Sequence, residues 1–167
     1  AINLMARHFP MSRFTGYDFS PEAIAAARDE AGSWGLSNAR FEVQDVADLP
    51  ERDAYDFITA FDSIHDQAQP AKVLAAIAGA LRNKGTYLMV DVDASSELAD
   101  NLSHPLGPFL YGVSTMHCMS VSLGLNGVGL GAMWGKQKAT EMLAQAGFCR
   151  VEVHRIPGDF FNNYYVA

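Results

Sequence analysis

Four aspartates in this chain, Asp18, Asp45, Asp62 and Asp91, each close a stretch that reads as a β-strand, and His65 and Asp66 follow the third of them closely. Carboxylates held at strand ends can accept hydrogen bonds from ribose hydroxyls or an exocyclic amine, and they favour a cationic ligand. A single aspartate at such a place is explained as well by capping the helix or turn that follows. Asp18, Asp45 and Asp62 on successive strands point instead to one shared ligand. His65 lies between acids, where an imidazole can take up a proton in a reaction. It is the candidate base, with Asp62 or Asp66 orienting it or its substrate. A structural hydrogen bond at a helix entry is the alternative for His65, and the sequence leaves both open.

The elements that must carry these residues are legible from pattern. Residues 2–9 carry Ile2, Leu4, Met5 and Phe9 at helical spacing, ending at Pro10. "SRFTGYD" reads as a strand. Ser20 is a good N-cap, Pro21 suits the first helical position and Glu22 the first turn, so a helix is expected to about Gly35. "ARFEVQD" alternates as a strand, and "AYDFITAFD" has the apolar continuity of a buried parallel strand. Pro70 opens a helix with Val73, Leu74, Ile77 and Leu81 on one face; "RNKG" closes it, with Gly85 suited to a left-handed turn. "TYLMVDV" is a buried strand. Residues 93–132 show no clean period, and a lid or substrate insert is expected over 93–134. "GKQKATEMLAQAG" is a helix stopped at Gly147, followed by strands "CRVEVHRI" and "FFNNYYVA" that must pair antiparallel. The order predicts an α/β fold, a parallel sheet flanked by helices, in one domain spanning 1–167.

Composition narrows the partners. The 167 residues are 49% hydrophobic, enough for a sizeable core. A formal charge of -7 with scattered Lys and Arg makes a nucleic-acid partner unexpected. Cys118 and Cys149 form no CxxC pair, which suits buried thiols in a reducing cytoplasm. No apolar run reaches the roughly 18 residues of a membrane helix, and no signal peptide is visible.

The segments "GYDFSPEAIAAAR", "FEVQDVADLP" and "YDFITAFDSIHDQAQPAKVLAAIAGALRNKGTYLMVD" together resemble class I S-adenosylmethionine-dependent methyltransferases. Those proteins carry an acid after the second strand, an Asp after the third, and Leu-x-Pro-Gly-Gly before the fifth. "FDSIHDQAQP", "HPLGPFLYGVSTMHCMSVSL" and "FFNNYYVA" resemble a bacterial small-molecule subgroup with an N-terminal winged-helix dimerisation region. The resemblance implies a doubly wound, Rossmann-like sheet, mostly parallel with a closing antiparallel strand pair. It also implies S-adenosylmethionine as cofactor, a small-molecule acceptor, and a homodimer of the full-length protein. By the same resemblance Asp18 holds the ribose hydroxyls and Phe19 packs beside the adenine. Asp45 accepts from the adenine amine, the backbone of Val46 meets the ring, and Phe61 lies at the methionine end, where an aromatic face favours a sulfonium.

The family pattern starts with a strand and a glycine-rich loop directly before the helix that opens this chain. Neither is present, and the expectation is an N-terminally truncated sequence whose sheet has unpaired edges. "GLNGVGLGAMWG" contains Gly127-x-Gly129-x-Gly131 but comes after the fifth strand, and reads better as a lid or substrate-side loop than as a cofactor cradle.

In the insert, His104, Tyr111, Met116, His117, Met119 and Trp134 could line an acceptor pocket; for any one of them plain packing is the alternative. His104, His117 and Cys118 show no recognised ligand spacing, so no metal is expected. His8 and His154 look structural. Two rival functions remain: a non-catalytic cofactor-binding or regulatory protein of the same fold, and an NAD-dependent oxidoreductase, which Asp45 and the antiparallel finish disfavour.

Overall fold

The computed structural model describes all residues from Ala1 to Ala167, and their contacts cluster into two compact units, Ala1–Leu49 and Pro50–Ala167.

The first unit holds α1 (Ile2–His8), β1 (Phe14–Asp18), α2 (Pro21–Ser33), β2 (Ala39–Val43) and a 3-10 turn at Val46–Asp48. Ser20 Oγ accepts from the Ala23 amide at 3.1 Å, with Pro21 next to it, so α2 starts where its capping chemistry predicts. β1 and β2 pair in parallel, Phe14 opposite Ala39 through Asp18 opposite Val43. Ile24 and Ala31 of α2 pack with Phe41 of β2 to form this unit's core. Asn3, buried in α1, donates to the Ala27 carbonyl at 3.0 Å and to Glu30 at 2.7 Å, fixing α1 against α2.

The second unit contains β3 (Tyr55–Phe61), α3 (Pro70–Ala80), β4 (Leu81–Val92), α4 (Gly107–Val113), α5 (Met119–Gly124), α6 (Gly135–Gln145), β5 (Glu152–His154) and β6 (Asn162–Val166). The sheet order is β3-β4-β6-β5. β3 and β4 run parallel, while β6 is antiparallel to both β4 and β5, as the short "PGD" connection requires. Its core gathers Val73 and Leu74 of α3, Tyr87 and Met89 of β4, Leu143 of α6 and Tyr165 of β6, each at most 1% exposed. The α/β architecture and the closing antiparallel pair are therefore as expected.

Three local expectations are corrected. Leu81 is not on the face of α3, which ends at Ala80; it opens β4 and pairs with Tyr55 before an irregularity that resets the register to Phe57 opposite Thr86. The left-handed residue of "RNKG" is Lys84 (φ 71°), not Gly85. Gly85 is needed for space instead: a Cβ there would lie 2.9 Å from Leu81 Cδ2 and 3.1 Å from the Tyr55 carbonyl. The insert is helical, α4 running through a π-helical turn at Ser114–Cys118 into α5. The π turn carries an extra residue and rotates the apolar face, which erases the 3.6-residue period over this stretch.

Candidate active site

β4 carries Asp91 at its carboxyl end, 0% exposed, in a position flanked by β3 and β6. Beside it, the segment that leaves β3 turns sharply at Asp62, whose backbone is left-handed (φ 44°), and delivers His65 into the interior. His65 is 3% exposed, and its Nδ1 lies 2.8 Å from Asp91 Oδ1. Because Asp91 Oδ1 also accepts from the Val92 amide at 2.8 Å and the Trp134 indole Nε1 at 3.1 Å, three donors converge on one oxygen. Nδ1 must therefore donate, which fixes the ring tautomer and turns Nε2 toward Asp66.

Nε2 meets the Asp66 carboxylate at 3.3 Å. Asp66 is partly exposed, so it connects the buried ring to the surface of the unit. Burial opposes a charge on His65, but the Asp91 hydrogen bond and the charges of Asp91, Asp66 and Asp62 outweigh it and raise its proton affinity above the ordinary value of 6.5. Asp62, exposed on one side and crowded by protein on the other, is also raised, first by desolvation and then by repulsion from Asp91. The buried Cys118 thiol faces Asp66; burial first, then that carboxylate, push it up to about 11.

The structure thus brings together His65, Asp62 and Asp66, the three residues expected to do chemistry, and adds Asp91 and Cys118. The acid closing "YLMVD" was visible in sequence, but nothing along the chain tied it to His65, 26 residues away.

In the first unit Asp18 and Asp45 are both exposed, and each uses one carboxylate oxygen locally. Asp18 Oδ1 accepts from the Ser20 amide and Asp45 Oδ1 from the Ala47 amide, both at 2.8 Å. The capping role weighed from sequence is therefore present, and it leaves each aspartate a second oxygen for a ligand. Phe19 follows Asp18 with its ring 54% exposed, and Val46 is half-buried. Phe61, at the end of β3 in the second unit, is also exposed.

The insert residues divide. Met116 and His117 are exposed on the π turn; Tyr111 is half-buried against the Val92, Leu110 and Met133 cluster, and its hydroxyl meets Asn101 at 3.0 Å. Trp134 is buried, its indole spent on Asp91. His104 uses both ring nitrogens, one toward the Asp93 carbonyl and one accepting from the Leu106 amide, so it has no lone pair for a metal. His65, Asp66 and Cys118 do present donor atoms within 4.8 Å of one another.

The glycine-rich run also acquires a place. Gly127 sits so close to the segment after His65 that a Cβ would fall 2.4 Å from Ala68 Cα, and the Val128 amide donates to the Ala68 carbonyl at 3.1 Å. Gly127 thus docks the insert, while Gly129 and Gly131 pack against the insert's own Leu123, Ser114 and Met119.

An α/β chain with parallel strand pairs that finishes in an antiparallel pair has the Rossmann-like fold of the methyltransferase-like class. The chain belongs to the methyltransferase-domain family, whose pattern matches residues 1–147. Solved structures share the fold. A protein assigned as an O-methyltransferase from Nostoc punctiforme superposes over 98% of this chain and 47% of its own length (TM-score 0.76, 18% identity). An O-methyltransferase family protein from Burkholderia thailandensis covers 98% and 46% (TM-score 0.73, 17% identity). PigF, solved with SAH, covers 97% and 45% (TM-score 0.72, 22% identity). The chain therefore spans about half the length of these proteins. No curated protein sequence matches it closely enough to count as a relative. No helix is long and apolar enough to cross a membrane.

Proposed function

We propose that the protein transfers a methyl group from S-adenosylmethionine to a small-molecule acceptor that arrives protonated, such as an alcohol or phenol. Membership of the family supports the reaction, and the neighbour solved with SAH supports the cofactor. The observation that carries the choice of acceptor is the Asp91–His65–Asp66 relay: a methyl transfer to an already basic nitrogen needs no such device.

The residues of the first unit are assigned to the nucleoside. Asp18 accepts from the ribose hydroxyls, with Phe19 beside the adenine, while Asp45 accepts from its amine with the Val46 backbone on the ring. In the second unit Phe61 is assigned to the methionine end. The cofactor supplies an activated methyl on a sulfonium, and in-line displacement needs alignment and exclusion of water. His65 takes the acceptor proton at Nε2, and Asp91 stabilises the resulting imidazolium. Asp66 orients the ring's outer edge and is the group through which the proton reaches solvent. Tyr111, Met116 and His117 are assigned to the acceptor side; Trp134 leaves that set because its indole faces Asp91. A homodimer of the full-length protein is retained as part of this reading.

The test is calorimetric titration of S-adenosylmethionine into the full-length protein, followed by labelled-methyl transfer to a panel of phenols, alcohols, amines and carboxylic acids. Binding with transfer to hydroxyl acceptors is expected. Binding without transfer would support the non-catalytic reading, and saturable nicotinamide-cofactor binding would support the oxidoreductase.

A further inference from the structure

The insert is tied to the segment that carries the base at several points. Cys118, the last residue of the π turn, faces Asp66. Ser122 Oγ donates to the Gln67 carbonyl at 2.9 Å, and the Val128 amide donates to Ala68. Trp134 then reaches Asp91 itself. Trp134 is in turn held by its neighbours: its carbonyl accepts from Ser96 Oγ at 2.7 Å, and its amide donates to the Gly131 carbonyl at 3.1 Å.

We propose that Trp134 is a positioning residue for the methyl transfer: its indole N–H holds Asp91 Oδ1, and through it holds the His65 ring with Nε2 facing Asp66. This rests on the base role assigned to His65 above. The physical ground is that Asp91 is fully buried and its other oxygen, Oδ2, has no partner. All the hydrogen bonding that stabilises its charge is concentrated on the oxygen that also receives His65. An uncharged donor at that oxygen limits how strongly Asp91 attracts the ring proton and fixes the direction from which it does so. The groups that act on His65 come from four places: Asp91 on β4, Asp62 at the end of β3, Asp66 on its own segment and Cys118 on the π turn. Trp134 bears directly on the buried one of these carboxylates. Remove its N–H, and Asp91 Oδ1 keeps the Val92 amide and His65 alone, so it must pull harder on the ring proton.

Two measurements on the full-length protein test this. In the unaltered protein, NMR follows the Trp134 indole N–H signal and the His65 ring against pH, with the surface residue Trp34 as reference. The Trp134 signal should move with the His65 midpoint and that of Trp34 should not; a Trp134 signal indifferent to His65 overturns the proposal. In Trp134→Phe, the His65 midpoint should rise, kcat should fall about tenfold, and the alkaline-rising limb of kcat should shift the same way. A folded variant with lower kcat but an unmoved His65 midpoint also overturns it, since lost packing alone would do that. A midpoint that rises while the kcat limb stays put upholds the positioning and removes the base role from His65. Incorporation of 5-fluorotryptophan, a stronger N–H donor, should move the midpoint downward, and needs no change in packing that could prevent folding.

Discussion

His65 and Asp91, 26 residues apart in sequence, share a 2.8 Å hydrogen bond with neither residue more than 3% exposed. Breaking it from either end should cost activity in different ways. His65→Gln removes the proton acceptor, and kcat should fall by about 10²–10⁴. Asp91→Asn keeps the shape but can present its amide N–H to Nδ1, driving the ring proton to Nε2 where it blocks proton uptake. A loss of at least about 10² is expected. Steady-state kinetics with an active hydroxyl acceptor check both, and S-adenosylmethionine affinity should be unchanged in each.

The pH dependence follows from the same pair. A base works when neutral, so kcat/KM should rise with pH along a limb centred above the ordinary histidine value of 6.5, because the surrounding carboxylates outweigh burial. Asp66→Asn removes one of those charges and should move the limb to lower pH. Stability runs the other way. A group with a raised folded pKa contributes fully below its unfolded value and loses that contribution as pH rises through the folded one. The His65 contribution to folding should therefore fade on the alkaline side, and a thermal-melt series against pH should show a decline that His65→Gln lacks.

Asp18 offers a cleaner separation of local structure from ligand binding. Its Oδ1 accepts from the Ser20 amide, just before the capped start of α2. Asp18→Asn retains an oxygen for that contact, whereas Asp18→Ala loses it. If Asp18 binds ribose hydroxyls as a charged acceptor, both variants should weaken S-adenosylmethionine by about 10- to 100-fold, the range of a hydrogen bond to a charged group. Calorimetry measures the affinity, and circular dichroism reports whether α2 survives. Weakening in Asp18→Ala alone would assign the residue to helix capping.

Much of this architecture could be read along the chain because the relevant signals are local. Ser20-Pro21-Glu22 marks the start of α2, the apolar run of "TYLMVDV" marks the body of β4, and Gly147 (φ 106°) ends the last helix region. What could not be read is of two kinds. The partner of His65 lies across the sheet, and strand pairing leaves no trace in one-dimensional spacing. The helices of the insert were hidden because the π turn at Ser114–Cys118 shifts the phase and Gly, Ser and Thr lower helix propensity there. Trp134 shows the limit of residue type as a guide: an aromatic in an insert suggests a pocket wall, but its N–H was needed by a buried carboxylate.

Asp62 tests the electrostatics of the site by a gain. Its carboxyl is raised by desolvation and by Asp91, so a charge on it comes at a cost to the fold. Asn tolerates the left-handed backbone found there (φ 44°) better than other non-glycine residues do. Asp62→Asn should therefore raise the melting temperature at neutral pH. The gain should vanish as pH falls below the ordinary carboxyl value of 3.8, where Asp62 is neutral in both states. If Asp62 also orients the acceptor, KM should rise in the same variant, giving a protein that is more stable and less effective.

Gly127 tests the docking of the insert without touching any group assigned to chemistry. Its φ lies outside the left-handed region, so a side chain there meets a steric obstacle and not a conformational one. That obstacle is backbone: Ala68 Cα at 2.4 Å, with Ser122 Oγ at 2.6 Å and the Ser122 carbonyl at 2.7 Å. Overfilling of this kind costs about 1–3 kcal/mol, and Gly127→Ala should lower the denaturant midpoint accordingly. Gly124, at the end of α5, has no atom within 4 Å of its missing Cβ. Gly124→Ala should be neutral, or stabilising by up to about 1 kcal/mol from helix propensity. Opposite signs from two substitutions three residues apart would locate the effect at the contact with Ala68. Because Ala68 follows His65, Asp66 and Gln67 directly, Gly127→Ala should also lower kcat at a pH where Gly124→Ala leaves it unchanged.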